Sequence, residues 1–335
     1  MINFKKLYSL TIIALGLTTQ PIQAATPEKT ELSISVGSQI LNYLPLSLTV
    51  SLGHFKEQGL NVRTENFQAG GSKALQALVA GSTDAVVGFY DHTISMQSKG
   101  KDIVSVVLLN DMPGIVLAAR NEAGLKKGSD LKGHTVGITA PGSSSDMIAR
   151  YYVKRNGLSQ KDVSFIAVGS GAPGMAALER KEVDSLVNFD PVATLLQQRS
   201  TTHFLFDTRT AAGSKALFDG NYPTACLYVT RQFMRRHPET VQRLVNAFVK
   251  TLKWIYRNTA ETIADKTPKE AITGDKGSFI RALKGSKAIF SSNGMMQPQD
   301  ALTVQKVLSD YDENVARAKI DLSKTFTNQF VAKAK

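Results

Sequence analysis

Residues 31–36 (ELSISV) alternate polar and apolar positions, the pattern of a half-buried strand. Pro45 suits the first turn of a helix, so a helix is predicted from there to Gln58, stopped by Gly59. Residues 60–66 form a second strand candidate, and the unbroken apolar run 103–109 reads as a buried strand. Asp111-Met112-Pro113-Gly114 interrupts the apolar pattern, and 115–119 resumes it. Strands are also predicted over 135–138, 163–168 and 223–230, with a short apolar stretch at 204–206. After Gly142-Ser143-Ser144-Ser145-Asp146 comes a helix whose Met147, Ile148, Tyr151 and Tyr152 share one face. Arg150 and Lys154 lie off that face, and Gly157 ends the helix. Beyond Arg231 the pattern is helical, the longest segment covering 238–258.

Two stretches of this pattern, one hundred positions apart, read as one unit used twice. Residues 67–89 and 167–189 align without a gap: Gly71 meets Gly171, Ala77-Leu78 meets Ala177-Leu178, Asp84 meets Asp184, Val87 meets Val187, and Phe89 meets Phe189. Each follows a strand-like run, opens on a glycine loop, passes through a short helix and ends in an apolar run. That is a βαβ unit, and its repetition predicts an α/β fold of two similar lobes with a cleft between them, where small ligands bind. The order of elements assigns residues 31–115 to a first lobe and 116–223 to a second. Residues 224–335 then return to the first lobe and end in helices. The chain would cross between lobes near Met112–Val116 and near Tyr222–Leu227, and such a double crossover makes a hinge that can close on a ligand.

The length of 335 residues suits two ordinary domains, and 42% hydrophobic residues suffice for real cores. The N-terminus changes the picture most. Lys5-Lys6, an apolar run over 7–17, Pro21 and Ala24 make a secretion signal over residues 1–24, cleaved after Ala24 or Ala25. The apolar run falls short of a membrane span, and no cysteine near the cut offers a lipid anchor. The mature chain is therefore expected to be exported and soluble, in the periplasm of a Gram-negative cell. The formal charge of +12 falls to about +10 without the two leader lysines. That charge reads either as a solvated surface or as a positive field that draws in anionic solutes. Export argues against nucleic acid as a partner. Cys226 is the only cysteine, lies in an apolar run and is expected to be buried and inert.

Gly169-Ser170-Gly171-Ala172-Pro173-Gly174 fits G-x-G-x-x-G, but it follows the start of the second lobe by a full βα unit instead of opening a domain. Its counterpart Gly70-Gly71-Ser72 lacks the pattern, so a dinucleotide site is rejected and no cofactor is expected. Ser143, Ser144 and Ser145 are a stronger candidate. One serine serves as a helix N-cap, but three in a row offer hydroxyls and free amides at the positive end of a helix, suited to a sulfonate, carboxylate or nitrate. Gln39, Asn42 and Tyr43 follow the first strand, where α/β folds place ligand-facing groups. Asp91 and Asp190 end equivalent strands and read equally as helix caps or ligand contacts. His92 follows Tyr90-Asp91 at a strand end, where it too can meet a ligand. The five histidines show no metal spacing.

The ordered set Tyr43-Leu44-Pro45, His54-Phe55-Lys56-Glu57-Gln58-Gly59-Leu60, Phe67-Gln68-Ala69-Gly70-Gly71, Ala80-Gly81-Ser82-Thr83-Asp84, Asp130-Leu131-Lys132-Gly133-His134-Thr135-Val136-Gly137 and Asn188-Phe189-Asp190-Pro191 resembles the periplasmic substrate-binding proteins of ABC importers for nitrate, sulfonate and taurine-like solutes. Their superfamily also includes binders of pyrimidine precursors of thiamine. The resemblance implies a two-lobed type II binding-protein fold, a monomer without catalysis, and partnership with a membrane permease and its ATPase. It places contacts at Gln39 to Tyr43, Gly70, Gly71, Ser72, Tyr90, Asp91, Ser143 to Ser145, Asn188 and Asp190. Asn188 stands where a tryptophan is common in that family. The cysteine-rich motif of the fungal pyrimidine synthases is absent. The solute is thus expected to be a small organic anion or zwitterion. A pyrimidine-precursor binder, or an exported enzyme using the same cleft, is the alternative.

Overall fold

The alternation in β1 (Glu31–Val36) turns Leu32, Ile34 and Val36 into the core, and this strand organises the first sheet. A computed structural model of the chain describes residues 26–68 and 70–334; the leader and its cleavage point lie outside the described residues. β1 pairs in parallel with β2 (Asn61–Asn66) and β3 (Ala85–Phe89). The sheet is completed by β4 (Ile103–Leu108), but β4 does not touch β3. Between them lies β10 (Ala225–Thr230), antiparallel to both. β3 and β4 are buried along their whole length, which explains their unbroken apolar sequences.

The second sheet repeats this plan. β6 (Thr135–Ile138) pairs in parallel with β7 (Ser164–Ala167) and β8 (Ser185–Phe189). β5 (Ile115–Arg120) is antiparallel to both β8 and β9 (Thr202–Asp207) and lies between them. Each sheet thus receives its antiparallel strand from the chain just after it has left the other sheet. The chain leaves the first sheet at Leu108 and enters the second at Ile115; it leaves the second at Asp207 and re-enters the first at Ala225.

Helices cover both sheets. Those before the second crossover are α1 (Leu44–Ser51), α2 (His54–Glu57), α3 (Gly71–Val79), α4 (Asp91–Gln97), α5 (Ser144–Arg155), α6 (Ala172–Glu179) and α7 (Val192–Gln197), with α8 (Ala211–Phe218) within it. The sequence predicted one helix from Pro45 to Gln58. The structure breaks it after α1, because Gly53 adopts a left-handed φ of 76° that ends one helix and re-aims the next. On α5 the face bearing Met147, Ile148, Tyr151 and Tyr152 is buried, while Lys154 is exposed.

The C-terminal part consists of α9 (Arg231–Arg236), α10 (Pro238–Arg257), α11 (Ala260–Lys266), α12 (Lys276–Ser286), α13 (Pro298–Tyr311) and α14 (Glu313–Arg317). α10 buries an apolar stripe that includes Val241, Leu244, Phe248 and Leu252. Its first turn is capped from a distance: the Glu28 carboxylate accepts from the amides of Glu239 and Thr240 at 3.1 and 2.9 Å. A second apolar cluster joins α1, α11 and α12 through Leu44, Leu48, Ile263, Phe279 and Leu283.

The internal repeat has structural content. Asp84 and Asp184, aligned in sequence, make the same bonds. The Asp84 carboxylate accepts from the amide of Ser33 at 2.9 Å, and its own amide donates back to the Ser33 carbonyl. Asp184 does the same with Thr135, again at 2.9 Å. Each aspartate therefore fixes the register at the start of a central strand pair.

Candidate functional site

The carboxyl ends of β1, β3, β6 and β8 deliver their loops to the boundary between the sheets, the place where open α/β sheets hold ligands. The backbones come very close here. The amide of Gly70 donates to the carbonyl of Gly37 at 2.9 Å, and a Cβ on Gly37 would lie 2.2 Å from the Gly70 carbonyl carbon, so no side chain fits. Gly70 in turn faces the second lobe, where a Cβ on it would approach that of Ala140 to 3.1 Å. The lobes are in contact.

Aromatic rings line the seam. Tyr43 and Phe89 meet edge to face at 6.0 Å, and Phe89 meets Phe189 of the other lobe at 5.5 Å. Beside them lies Asp91, in the first turn of α4 and 0% exposed. Ser144 donates to its carboxylate across the seam at 2.8 Å, and the Tyr222 hydroxyl stands 3.4 Å from the second oxygen. Burial raises the Asp91 carboxyl above its ordinary range; neighbouring His92 and the Ser144 bond offset this in part.

His92 is buried too, and burial lowers its basicity despite the nearby Asp91 carboxylate, which keeps it neutral at pH 7. Its Nδ1 lies 3.1 Å from the Tyr228 hydroxyl, and the backbone of Gly142 in the second lobe stands beside the ring. Gly88 makes this pairing possible: a Cβ there would stand 2.6 Å from the Tyr228 oxygen.

The serine run divides by role. Ser143 and Ser145 form a closed cluster of hydroxyls with Thr139, at 2.8 Å for each pair. Ser143 holds the N-cap position of α5, but its hydroxyl donates back to the Ala140 carbonyl and makes no cap bond. Ser144 alone reaches the other lobe. Of the two strand-end aspartates, Asp190 behaves as a cap: its carboxylate accepts from the Thr194 amide of α7 at 2.8 Å. It also accepts from Ser286 of α12, and Arg209 stands 3.7 Å away. Asp91 has a local bond only from the adjoining His92 backbone; its side-chain partners are Ser144 across the seam and Tyr222.

The amides are half satisfied. Asn42 Nδ2 donates to the Pro113 carbonyl at 2.7 Å, and its Oδ1 has no partner. Asn188 Oδ1 accepts from the Phe189 amide, and its Nδ2 has none. Tyr90 points elsewhere, its hydroxyl 2.5 Å from Thr325. Gly71 sits beside His92 and Tyr43. Ser72 opens onto a cavity of about 640 Å³ between α3, α4 and α5, and Gln39 onto one of about 220 Å³ whose walls include Gly171 and Glu270.

Four further residues belong to this region but were not among the site candidates: Phe89, Asn110, Tyr222 and Tyr228. Asn110 is buried at the first crossover with both amide atoms unpartnered. Its signal was a polar residue ending an apolar run, just before the Asp111 to Gly114 break. Tyr228 is hidden in the apolar run of β10, and Tyr222 carries no local signal. Cys226 is buried, and burial pushes its thiol up to about 12, which leaves it no role as a nucleophile.

The chain matches the model of the family described as NMT1/THI5 like over residues 41–262. A protein of solved structure from Bordetella bronchiseptica RB50 is 38% identical, covers 92% of this chain and 98% of its own, and superposes with a TM-score of 0.88. The alkanesulfonate-binding protein SsuA from Xanthomonas axonopodis pv. citri, solved bound to MOPS, is 17% identical with a TM-score of 0.73, covering 90% of this chain and 99% of its own. The candidate binding protein YtlA of Bacillus subtilis (strain 168) is 23% identical over 239 residues, 70% of this chain and 69% of YtlA. The paired sheets with their exchanged strands form the two-lobed α/β fold of periplasmic binding proteins, and the chain belongs to the NMT1/THI5-like family.

Proposed function

We propose that this protein is the solute receptor of an ABC importer. It captures a small organic zwitterion between its lobes, outside the cytoplasmic membrane, and delivers it unchanged to a permease and its ATPase. The observation that carries this reading is the bond from Ser144 to Asp91 across the seam, flanked by unpartnered buried atoms of Asn42 and Asn188. Unmet hydrogen-bonding capacity at a closing interface is what a bound polar solute would satisfy. The charge balance favours a solute that carries a donor. Asp91 and Asp190 are both buried, His92 is neutral, and Arg209 is already engaged by Asp207 at 2.6 Å. A bare anion would meet Asp91 without a free buried cation to offset it, whereas a zwitterion brings its own.

The test is a thermal-shift series on the chain beginning at residue 26, with taurine, propanesulfonate, nitrate and an aminopyrimidine. A bound solute at a hundredfold excess over Kd adds about 2.7 kcal/mol of stability. Taurine is expected to raise Tm, to be recovered intact and to bind one to one. A shift with nitrate alone overturns the zwitterion. A shift with the aminopyrimidine alone points to a pyrimidine-precursor binder. Conversion of the solute points to an enzyme.

A further inference from the structure

The repeat places Asp190 opposite Tyr90, and both residues leave the seam to grip the C-terminal part of the chain. The Tyr90 hydroxyl meets Thr325, and the Asp190 carboxylate accepts from Ser286 at the end of α12. Asp190 is 1% exposed, and each of its three oxygens accepts a hydrogen bond from the protein. One carboxylate oxygen serves Thr194, the other serves Ser286, and its carbonyl accepts from the Leu41 amide of the first lobe at 3.0 Å. Arg209, just after β9, stands against the same carboxylate while also bonding Asp207 and Gln197. Three parts of the chain thus meet at one residue: the loop after β1, the strand end and helix of the second lobe, and a C-terminal helix packed on the first lobe through Phe279 and Leu283.

We propose that Asp190 is a positioning residue, the anchor by which the C-terminal helices hold the second lobe against the first, and that it sets the closed seam without touching the solute. Both carboxylate oxygens are turned to the protein's own Thr194 and Ser286, with Arg209 beside them, in a place closed to solvent. The contact lies beside the first crossover, where Gly114 packs on Ile289 and Asn42 holds Pro113, so a small change there is carried to the whole lobe.

The experiment compares Ser286→Ala and Asp190→Ala with the unaltered chain, in the absence of solute, by hydrogen exchange and solution scattering. Both variants are expected to speed exchange in peptides covering the Leu41 amide by roughly tenfold, the scale of one lost charged hydrogen bond. Both are also expected to raise the radius of gyration. Ser286→Ala keeps the Thr194 cap, so it decides the matter if Asp190→Ala does not fold. Exchange at Leu41 and a radius of gyration both unchanged in Ser286→Ala overturn the proposal. The readouts need no solute, so they stand apart from the success or failure of the receptor reading.

Discussion

Phe89 and Phe189 occupy the same position in two repeats one hundred residues apart, and their rings meet edge to face across the seam, 5.5 Å between centroids at 85°. The sheets are therefore related so that equivalent strand ends oppose each other. Each ring closes the apolar end of its own sheet and forms part of the other's wall.

Each phenylalanine is buried, so replacement by alanine is expected to cost about 3–5 kcal/mol. Because the rings touch, the double variant should cost less than the sum, by about 0.5–1.5 kcal/mol. A double-mutant cycle from urea unfolding measures this, and strict additivity would mean the lobes do not meet there in solution.

Asp184 gives a pH prediction. Burial pushes its carboxyl up, but bonds from the Thr135 amide and hydroxyl and from His134 outweigh this and hold it below its ordinary value. A lowered folded pKa means stability that is present above the unfolded value of about 3.9 and lost as pH falls through the folded one. Asp184→Ala should cost about 1–3 kcal/mol at pH 7, and its deficit should shrink below pH ~4. Chemical unfolding at a series of pH values checks this.

Asp91 predicts the opposite sign. Its folded pKa is raised, so the stability it contributes is complete below about pH 3.9 and lost as pH rises through the folded value. Asp91→Asn keeps an acceptor for Ser144 and removes that loss. It should melt above the unaltered protein at pH 7, with the gap closing toward pH ~4. A variant less stable at pH 7 would show that the charge is well solvated.

Cys226 lies within β10 with its thiol raised to about 12. A thiol-specific chromophore should not react with the folded protein at pH 8 and should titrate one thiol per chain in denaturant. Reaction before unfolding would mean that β10 leaves the first sheet readily.

Much of this fold was legible because burial on both faces writes strands as apolar runs, as in β3, β4 and β5. The repeat was legible because Asp84 and Asp184 do one job twice. The break at Gly53 was missed because the residues on either side of it are compatible with one continuous helix, and only the left-handed glycine interrupts it. The site was harder to read. Its candidates were named by strand ends, and the structure brings Tyr43, Asp91 and Ser144 to the seam. Sequence alone could not divide the serine run, because Ser143 and Ser145 turn toward Thr139 while Ser144 turns outward, a difference of helical phase at the first turn. Tyr222 and Tyr228 escaped notice because the chain's return to the first lobe brings them there from far along the sequence.

The exchanged strands also dictate an order of assembly. β10 fills the slot between β3 and β4 but is made only after the whole second sheet. A nascent chain that stops short of Ala225 carries two open sheet edges inside its first lobe, which invite pairing with other chains. The first lobe cannot be excised as a contiguous fragment, whereas the second sheet is made from one unbroken stretch, Ile115 to Asp207; a truncated product should be recognised by its stickiness long before any question of binding arises.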